Sequence, residues 1–255
     1  MSNLFDLTGK VAVITGSSRG IGKAIAEQMA AAGAKVVISS RKPEACEPVA
    51  EELRKAGYEA MAIACHVGKK DDLQNLVDKT KQAYGQIDVL VCNAATTTPL
   101  CKVEELDVED WRRALDVNLT SAFLLSKFAL PEIRRSGGGN IIIVASQMGS
   151  VGWMGQSAYC STKGALIQLG KVLALDYAKE NIRVNTLSPG GVATDRLIDR
   201  YGSEPTAQAE WGPMHPVGRL GQADEIARGA VFLASDDSTF ITGSDLVMDG
   251  GYTAW

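Results

Sequence analysis

Short runs of consecutive apolar residues alternate along the chain with longer stretches whose apolar positions recur every three or four residues. The short runs fall at 11–15, 35–39, 60–64, 88–92, 140–145, 183–187 and 246–248. They are β-branched at several positions and apolar on successive residues, which suits strands buried on both faces of a parallel sheet. The longer stretches, 21–32, 44–56, 71–84, 108–135, 158–179 and 223–233, read as helices. Gly33, Gly57 and Gly85 follow three of them as C-terminal stops. This βαβα alternation predicts an α/β fold: a Rossmann-type doubly wound parallel sheet of about seven strands, flanked by helices, with right-handed crossovers. No linker, low-complexity segment or solenoid repeat interrupts it, so residues 1–255 are expected to form a single domain. One stretch breaks the rhythm. Residues 194–221 carry Gly, Pro, Trp and mixed charge in a connection longer than a compact domain ordinarily needs, and they are the expected substrate lid.

Composition narrows the class. A chain of 255 residues with 45% apolar and 22% charged content is ordinary for one globular domain. The net charge of −4 offers no basic surface for nucleic acid. The strongest apolar run, 141–145, is far too short to span a bilayer, and the first ten residues lack a secretory apolar segment. The expectation is a cytoplasmic protein with neither nucleic-acid nor membrane partners. The five cysteines (Cys46, Cys65, Cys92, Cys101 and Cys160) include no CxxC, and Cys65 and Cys92 fall in or beside apolar runs as small hydrophobes. With only His66 and His215 as histidines, no disulfide and no metal site is expected.

Candidate chemistry begins where the first strand runs into Thr15-Gly16-Ser17-Ser18-Arg19-Gly20-Ile21-Gly22. Glycine lets a backbone turn sharply and approach a ligand, and the helix that follows offers free N–H groups to a pyrophosphate. The spacing is GxxxGxG, related to but distinct from the GxGxxG dinucleotide fingerprint. The second strand ends in Ser39-Ser40-Arg41-Lys42. An acid there would bond the adenosine ribose and repel a 2′-phosphate. Ser40 stands in its place, Arg41 follows, and Arg19 reaches toward the same phosphate; arginine suits bidentate phosphate binding. NADP(H) is therefore favoured, with NAD(H) as the alternative. Further on, Tyr159 and Lys163 lie four apart on a predicted helix and share a face. A tyrosine of pKa about 10 needs a neighbouring positive charge to exchange protons near neutrality.

In this order the motifs resemble the short-chain dehydrogenase/reductase family over essentially the whole chain. Gly16, Gly20 and Gly22 match its TGxxxGxG. Asn93-Ala94-Ala95 matches its NNAG segment, with Cys92 for the first Asn and Ala95 for the Gly. Asn118, then Ser146 thirteen residues before Tyr159, then Lys163, match its catalytic residues; Pro189-Gly190 and Asp249-Gly250-Gly251 match its PG turn and C-terminal DGG. His66 precedes Val67 where many members carry an Asp that contacts adenine; the imidazole can make the same bond or stack, or serve only as a half-buried loop residue. Ser40-Arg41-Lys42 and Cys65-His66-Val67-Gly68 look most like the NADP-preferring carbonyl reductase branch.

The resemblance implies hydride transfer between a nicotinamide cofactor and a ketone or secondary alcohol. Tyr159 would be the general acid/base, Lys163 would lower its pKa and hold the nicotinamide ribose, and Ser146 would donate to the developing oxyanion. Asn118 would hold water near Lys163 or fix a kinked helix. The implied cofactor contacts are Gly16, Ser18, Arg19, Gly20, Ile21, Gly22, Ser40, Arg41, His66, Val67, Asn93, Ala94, Ala95, Tyr159, Lys163, Pro189, Gly190, Val192 and Thr194. The expected substrate pocket comprises Ser146, Gln147, Met148, Trp153, Tyr159, Gly190 and Trp211 beneath the lid. Trp153, Met154, Trp211 and Met214 give it an apolar, adaptable lining suited to a medium, uncharged substrate; Arg196, Arg200 and Arg219 are the lid cations that would receive a carboxylate instead. Phe123, Leu124, Phe128, Leu166, Leu169 and Leu173 exceed what one sheet face absorbs, and the family packs these helices between subunits, which implies a homotetramer of D₂ symmetry with the terminal Trp255 as a docking residue. Two other readings stay open: a 3-oxoacyl-carrier-protein reductase, which shares every catalytic residue, and a non-catalytic dinucleotide-sensing scaffold, against which the presence of both Tyr159 and Lys163 counts.

Overall fold

In the computed structural model, which describes residues 4–254, the β-branched runs lie side by side in one parallel sheet. In chain order, the first half holds β1 (Val11–Thr15), α1 (Gly20–Ala31), β2 (Lys35–Ser39), α2 (Pro43–Lys55), β3 (Ala60–Ala62), α3 (Lys70–Tyr84) and β4 (Val89–Cys92). Then come α4 (Val108–Ala114), a π-helical segment (Leu115–Thr120), α5 (Ser121–Arg135), β5 (Gly139–Val144) and α6 (Ser157–Tyr177). The last third holds β6 (Ile182–Pro189), β7 (Val192–Ala193), α7 (Asp195–Tyr201), α8 (Glu204–Trp211), β8 (Gly221–Gln222), α9 (Ala223–Ala234) and β9 (Asp245–Met248). Seven strands pair in the order β3-β2-β1-β4-β5-β6-β9, all parallel, while β7 and β8 form a separate two-stranded sheet. The chain winds outward in both directions from β1 and β4, and the cleft at their C-terminal ends is the switch point where such sheets bind ligands.

Alternation along each strand feeds two cores. Ile14, Val36, Ile38 and Val91 face one side with α1, α2 and α9; Val13, Val37, Leu90, Ile141 and Ile143 face the other with α3, α5 and α6. Two-sided burial explains why the strands carry no polar face. The predicted helix 108–135 is interrupted by the π-helical turn at Leu115–Thr120, a feature that widens a helix locally and recurs at functional sites. The expected loop 194–221 instead contains α7 and α8, whose seven and eight residues are too short to show amphipathic periodicity. β3 stops at Ala62, two residues early, but Ile63 and Cys65 still donate to the Ile38 and Ser40 carbonyls of β2. Trp255 lies outside the described residues. Among those described, no helix is long and apolar enough to cross a membrane, and all five cysteines are free.

Arg183 fastens the far end of the sheet. Its half-buried guanidinium donates to the carbonyls of Leu233 (2.8 Å), Ser235 (2.9 Å) and Ile241 (3.2 Å), satisfying the exposed C-terminal end of α9. Replacing it with methionine keeps the bulk and removes the donors. Arg183→Met should cost about 2–3 kcal/mol in urea unfolding; an unchanged midpoint would mean that water satisfies those carbonyls equally well.

Candidate active site

The turn after β1 is shaped by its glycines. Gly16 (φ +68°) and Gly20 (φ +56°) occupy the left-handed region that disfavours a Cβ, and a side chain at Gly22 would strike the Asn93 amide and the Gly16 carbonyl. Asn93 clamps the turn from the end of β4: its Nδ2 donates to Thr15 O (2.8 Å) and Gly16 O (3.2 Å), while its backbone N–H and that of Ala94 donate to Thr15 Oγ1. α1 then starts at Arg19 with no side-chain cap and no acid in its first turn. Its first N–H groups and positive dipole end are thus left to an external anion, so the turn fits the pyrophosphate of a dinucleotide.

The adenosine side is more open. Arg19 and Arg41 are exposed, and among the described residues the Arg41 side chain makes no hydrogen bond or ion pair. Ser40 is less free than expected, because its N–H and hydroxyl both meet the Cys46 sulfur at 3.1 Å. His66 is half-buried, and its Nδ1 accepts from Gly68 N–H at 3.2 Å. Val67 beside it is buried.

Tyr159 and Lys163 sit on successive turns of α6 facing β5. Lys163 is only 3% exposed; its Nζ donates to the Val144 carbonyl at 2.7 Å and lies 5.6 Å from the centre of the Tyr159 ring. Burial, reinforced by the nearby Arg196 guanidinium, pulls the amine down to about 7. Burial pushes the Tyr159 phenol above its usual value, opposed by Arg196 and by the Ser146 hydroxyl. Arg196 is the cation that lowers both the phenol and the amine, while Lys163 is buried against a neutral carbonyl.

Ser146 is buried at the end of β5, and its Oγ accepts from Met148 N–H at 3.2 Å. Asn118 sits in the π-helical turn, 2% exposed: Oδ1 accepts from Thr96 N–H (2.7 Å) and Nδ2 donates to Thr162 Oγ1 (3.3 Å). The Asn118 side chain thereby ties the π-helical turn to α6 and to the loop after β4.

The 194–221 segment closes over these groups. Thr194 lies above Gly20, and Arg196 on α7 donates to Ala95 O at 2.7 Å, so the segment reaches across the cleft from β6 to β4. Trp211 stacks on Trp153 with ring centres 5.2 Å apart, and its Nε1 donates to the Tyr201 hydroxyl at 2.6 Å. Met148, Trp153, Tyr159 and Trp211, four of the predicted substrate residues, share one apolar cluster with Leu197, Tyr201, Met214 and Tyr252. Gln147 and Gly190 meet at its edge, where a Cβ on Gly190 would lie 2.8 Å from Gln147 Oε1. Pro189 ends β6 and Val192 opens β7, which places both beside Gly190. Met154, expected in the same apolar lining, is 89% exposed. Arg219 pairs with Glu225 at 2.8 Å.

Sequence reasoning passed over His215. It is buried, its Nε2 accepts from Gly191 N–H (3.0 Å), and its Nδ1 donates to Trp211 O (2.8 Å), which binds the turn after β6 to the end of α8. No local motif marks it; only the fold brings residues 191 and 215 together.

Lys163 links the site to stability. In the folded chain it loses its proton near pH 7, whereas in the unfolded chain it holds it to about 10.5. The unfolded chain therefore binds more protons across this window, and the stability associated with this group rises with pH. The difference in urea midpoint between wild type and Lys163→Met should shift toward the wild type from about pH 7 to about pH 9.5. A difference that stays flat would mean that the folded amine keeps its charge.

Comparisons with known proteins assign the chain to a family. The family model described as "Enoyl-(Acyl carrier protein) reductase" matches residues 16–253. The chain is 38% identical to a cyclohexanol dehydrogenase of Acinetobacter sp. (strain SE19) over 254 residues, covering 100% of this chain and 98% of that protein. It is also 38% identical to a cis-4-hydroxycyclohexanecarboxylate dehydrogenase of Sinomonas cyclohexanicum, covering 96% of this chain and 97% of that protein. The crystal structure of a short-chain type dehydrogenase/reductase from Mycobacterium marinum superposes with a TM-score of 0.92 at 38% identity, covering 99% of this chain and 98% of that one. With the match running from Gly16 of the glycine turn through α6 to residue 253, the chain belongs to the short-chain dehydrogenase/reductase family.

Proposed function

We propose that this protein is an NADP(H)-dependent oxidoreductase that interconverts an uncharged cyclic secondary alcohol and the corresponding ketone, with Tyr159 as general acid/base. The observation that carries the reading is the convergence of Tyr159, Ser146 and Lys163 at the switch-point end of the sheet, beside an apolar cluster built on the Trp153–Trp211 stack. The relatives named for cyclohexanol and cis-4-hydroxycyclohexanecarboxylate support a ring alcohol as substrate. The apolar lining supports one without charge.

When bound, the nicotinamide ring supplies or accepts the hydride. The residues of this chain handle everything else. In reduction the Tyr159 hydroxyl gives its proton to the carbonyl oxygen; in oxidation its phenolate takes the alcohol proton. Ser146 Oγ–H donates to the oxygen as negative charge develops, a contribution on the order of a hundredfold in rate. Lys163 holds the nicotinamide ribose, and the uncapped start of α1, with Ser18 and Ile21 in the turn, receives the pyrophosphate. Asn93, Ala94, Ala95, Pro189, Gly190, Val192 and Thr194 line the remaining walls of the cofactor cleft. The unpaired Arg41, with Arg19, takes the 2′-phosphate, and His66 Nε2–H faces the adenine. Residues 194–221 act as the lid whose stacked tryptophans exclude water. Exposed apolar side chains on α5 and α6, Phe123 (46%), Val172 (53%) and Leu175 (82%), support self-assembly into a tetramer.

Tyr159→Phe should lower turnover of cyclohexanol or cyclohexanone by about a hundredfold or more while NADPH still binds. Activity within a few-fold of wild type would remove the tyrosine from the reaction. Acetoacetyl thioesters turned over faster than cyclic ketones would instead favour acyl reduction. Arg41→Ala should weaken NADPH binding about ten- to a hundredfold with little change for NADH, the loss expected for a charge-assisted phosphate contact. Equal losses for both cofactors would rule that contact out.

A further inference from the structure

His215 is a buried titratable side chain that the proposed reaction does not use. It is 2% exposed and makes two hydrogen bonds of opposite sense: Nε2 accepts from Gly191 N–H at 3.0 Å, and Nδ1 meets Trp211 O at 2.8 Å. A backbone N–H can only donate and a carbonyl can only accept, so a ring with its proton on Nδ1 satisfies both at once. The same ring stands in a column of aromatics. Trp153, Trp211, His215 and Tyr252 follow one another with ring centres 5.2, 6.4 and 5.5 Å apart. The column joins the segment between β5 and α6, the end of α8 and the C-terminal turn.

We infer that His215 is a positioning residue that holds the cofactor wall and the substrate wall in register, through Nε2 for the first and Nδ1 for the second. The inference rests on the oxidoreductase reading given above and deepens it. Gly191 continues the turn after Gly190, in the wall of the cofactor cleft, while Trp211 carries the ring that shares an apolar cluster with Tyr159. Consecutive glycines have a wide conformational range and lose the most entropy when fixed, so this turn needs outside restraints. Gly190 N–H donates to Met248 O of β9 (3.0 Å), and Gly191 O accepts from Gly221 N–H of β8 (2.9 Å). The restraint on Gly191 N–H is the imidazole. Gly191 is a glycine because the ring sits on it: a Cβ there would lie 2.8 Å from the His215 Cε1 and 3.1 Å from the Trp211 ring. Trp211 is the last residue of α8, so the bond to its carbonyl fixes the end of that helix against the same turn. The two bonds can be removed separately. A glutamine carries its amide to about the place of Nε2 and keeps an acceptor for Gly191; an asparagine ends near Nδ1 and keeps a donor for Trp211 O. Phenylalanine keeps a ring in the column and removes both bonds.

The test uses the full-length chain as wild type, His215→Phe, His215→Gln and His215→Asn. NADPH and NADH are titrated by the fluorescence of the bound nicotinamide, and cyclohexanone is the ketone. His215→Phe should raise the NADPH Kd and the KM for cyclohexanone about tenfold each, the loss expected when buried backbone groups go unpaired. The NADH Kd should rise by the same factor, because the restraint acts on a wall that both cofactors share. In His215→Gln the Kd should return to within about threefold of wild type while the KM stays raised; in His215→Asn the KM should return and the Kd stay raised. General loosening of the fold cannot produce that crossed pattern. Gln and Asn variants that weaken both constants alike, or a Phe variant with wild-type constants, would overturn the inference. If His215→Phe does not fold, the comparison of Gln with Asn decides alone. Kd values that follow the pattern without turnover of cyclohexanone would uphold the positioning role and reject the proposed substrate. A wild type that binds neither NADPH nor NADH would overturn both.

Discussion

The bond from Lys163 to the Val144 carbonyl fixes both the geometry and the charge of the catalytic face. An ammonium moved out of water into the end of a parallel sheet is costly unless it is paired, and the one partner here is a neutral carbonyl at 2.7 Å. The amine therefore responds by losing its proton near pH 7. The same contact sets the rotation of α6 against β5. With Lys163 pinned beneath the sheet end, the side chain one turn earlier comes up beside the residue that follows Val144 and Ala145. The Ser146 hydroxyl lies within reach of the Tyr159 phenol and lowers its pKa.

Around that bond the cleft is held by side chains that grip backbone. Asn93 and Thr15 bind β4 to the glycine turn; Asn118 binds the π-helical segment to the loop after β4 and, through Thr162, to α6; His215 binds the turn after β6 to Trp211. Each uses a short polar side chain to satisfy an N–H or C=O that an irregular segment exposes, which keeps such segments ordered at a sheet end where no ladder bonds remain. The residues that carry chemistry stand on strand ends and one helix, and the residues that hold them stand one layer behind.

Much of this was legible in the sequence. Continuous apolar strands, β-branched and bounded by glycine, gave the sheet, since burial on both faces writes itself into every position. The glycine turn was legible because its left-handed angles and close approaches admit few other residues, and the catalytic helix because Tyr159 and Lys163 repeat at the spacing of one turn. The 194–221 segment was not, because two helices of seven and eight residues are too short to display a period. His215 was not, because its role is set by a pairing 24 residues away in sequence. Spacing places Lys163 beside the phenol, but burial governs its protonation, and burial is a property of the folded sheet end.

The charge assignment has a consequence for how the site works. The cation acting on both Tyr159 and Lys163 is Arg196, which stands on α7 and reaches the cleft by donating to Ala95 O. The framework of sheet and α6 supplies the positions of the phenol and the amine, while the segment that covers the cleft supplies the nearby charge. A guanidinium at Ala95 favours the phenolate and the neutral amine together. Withdrawn into solvent, it would be screened, and burial alone would keep the phenol protonated. The placement of α7 and the acidity of Tyr159 are thus coupled through the Arg196 guanidinium.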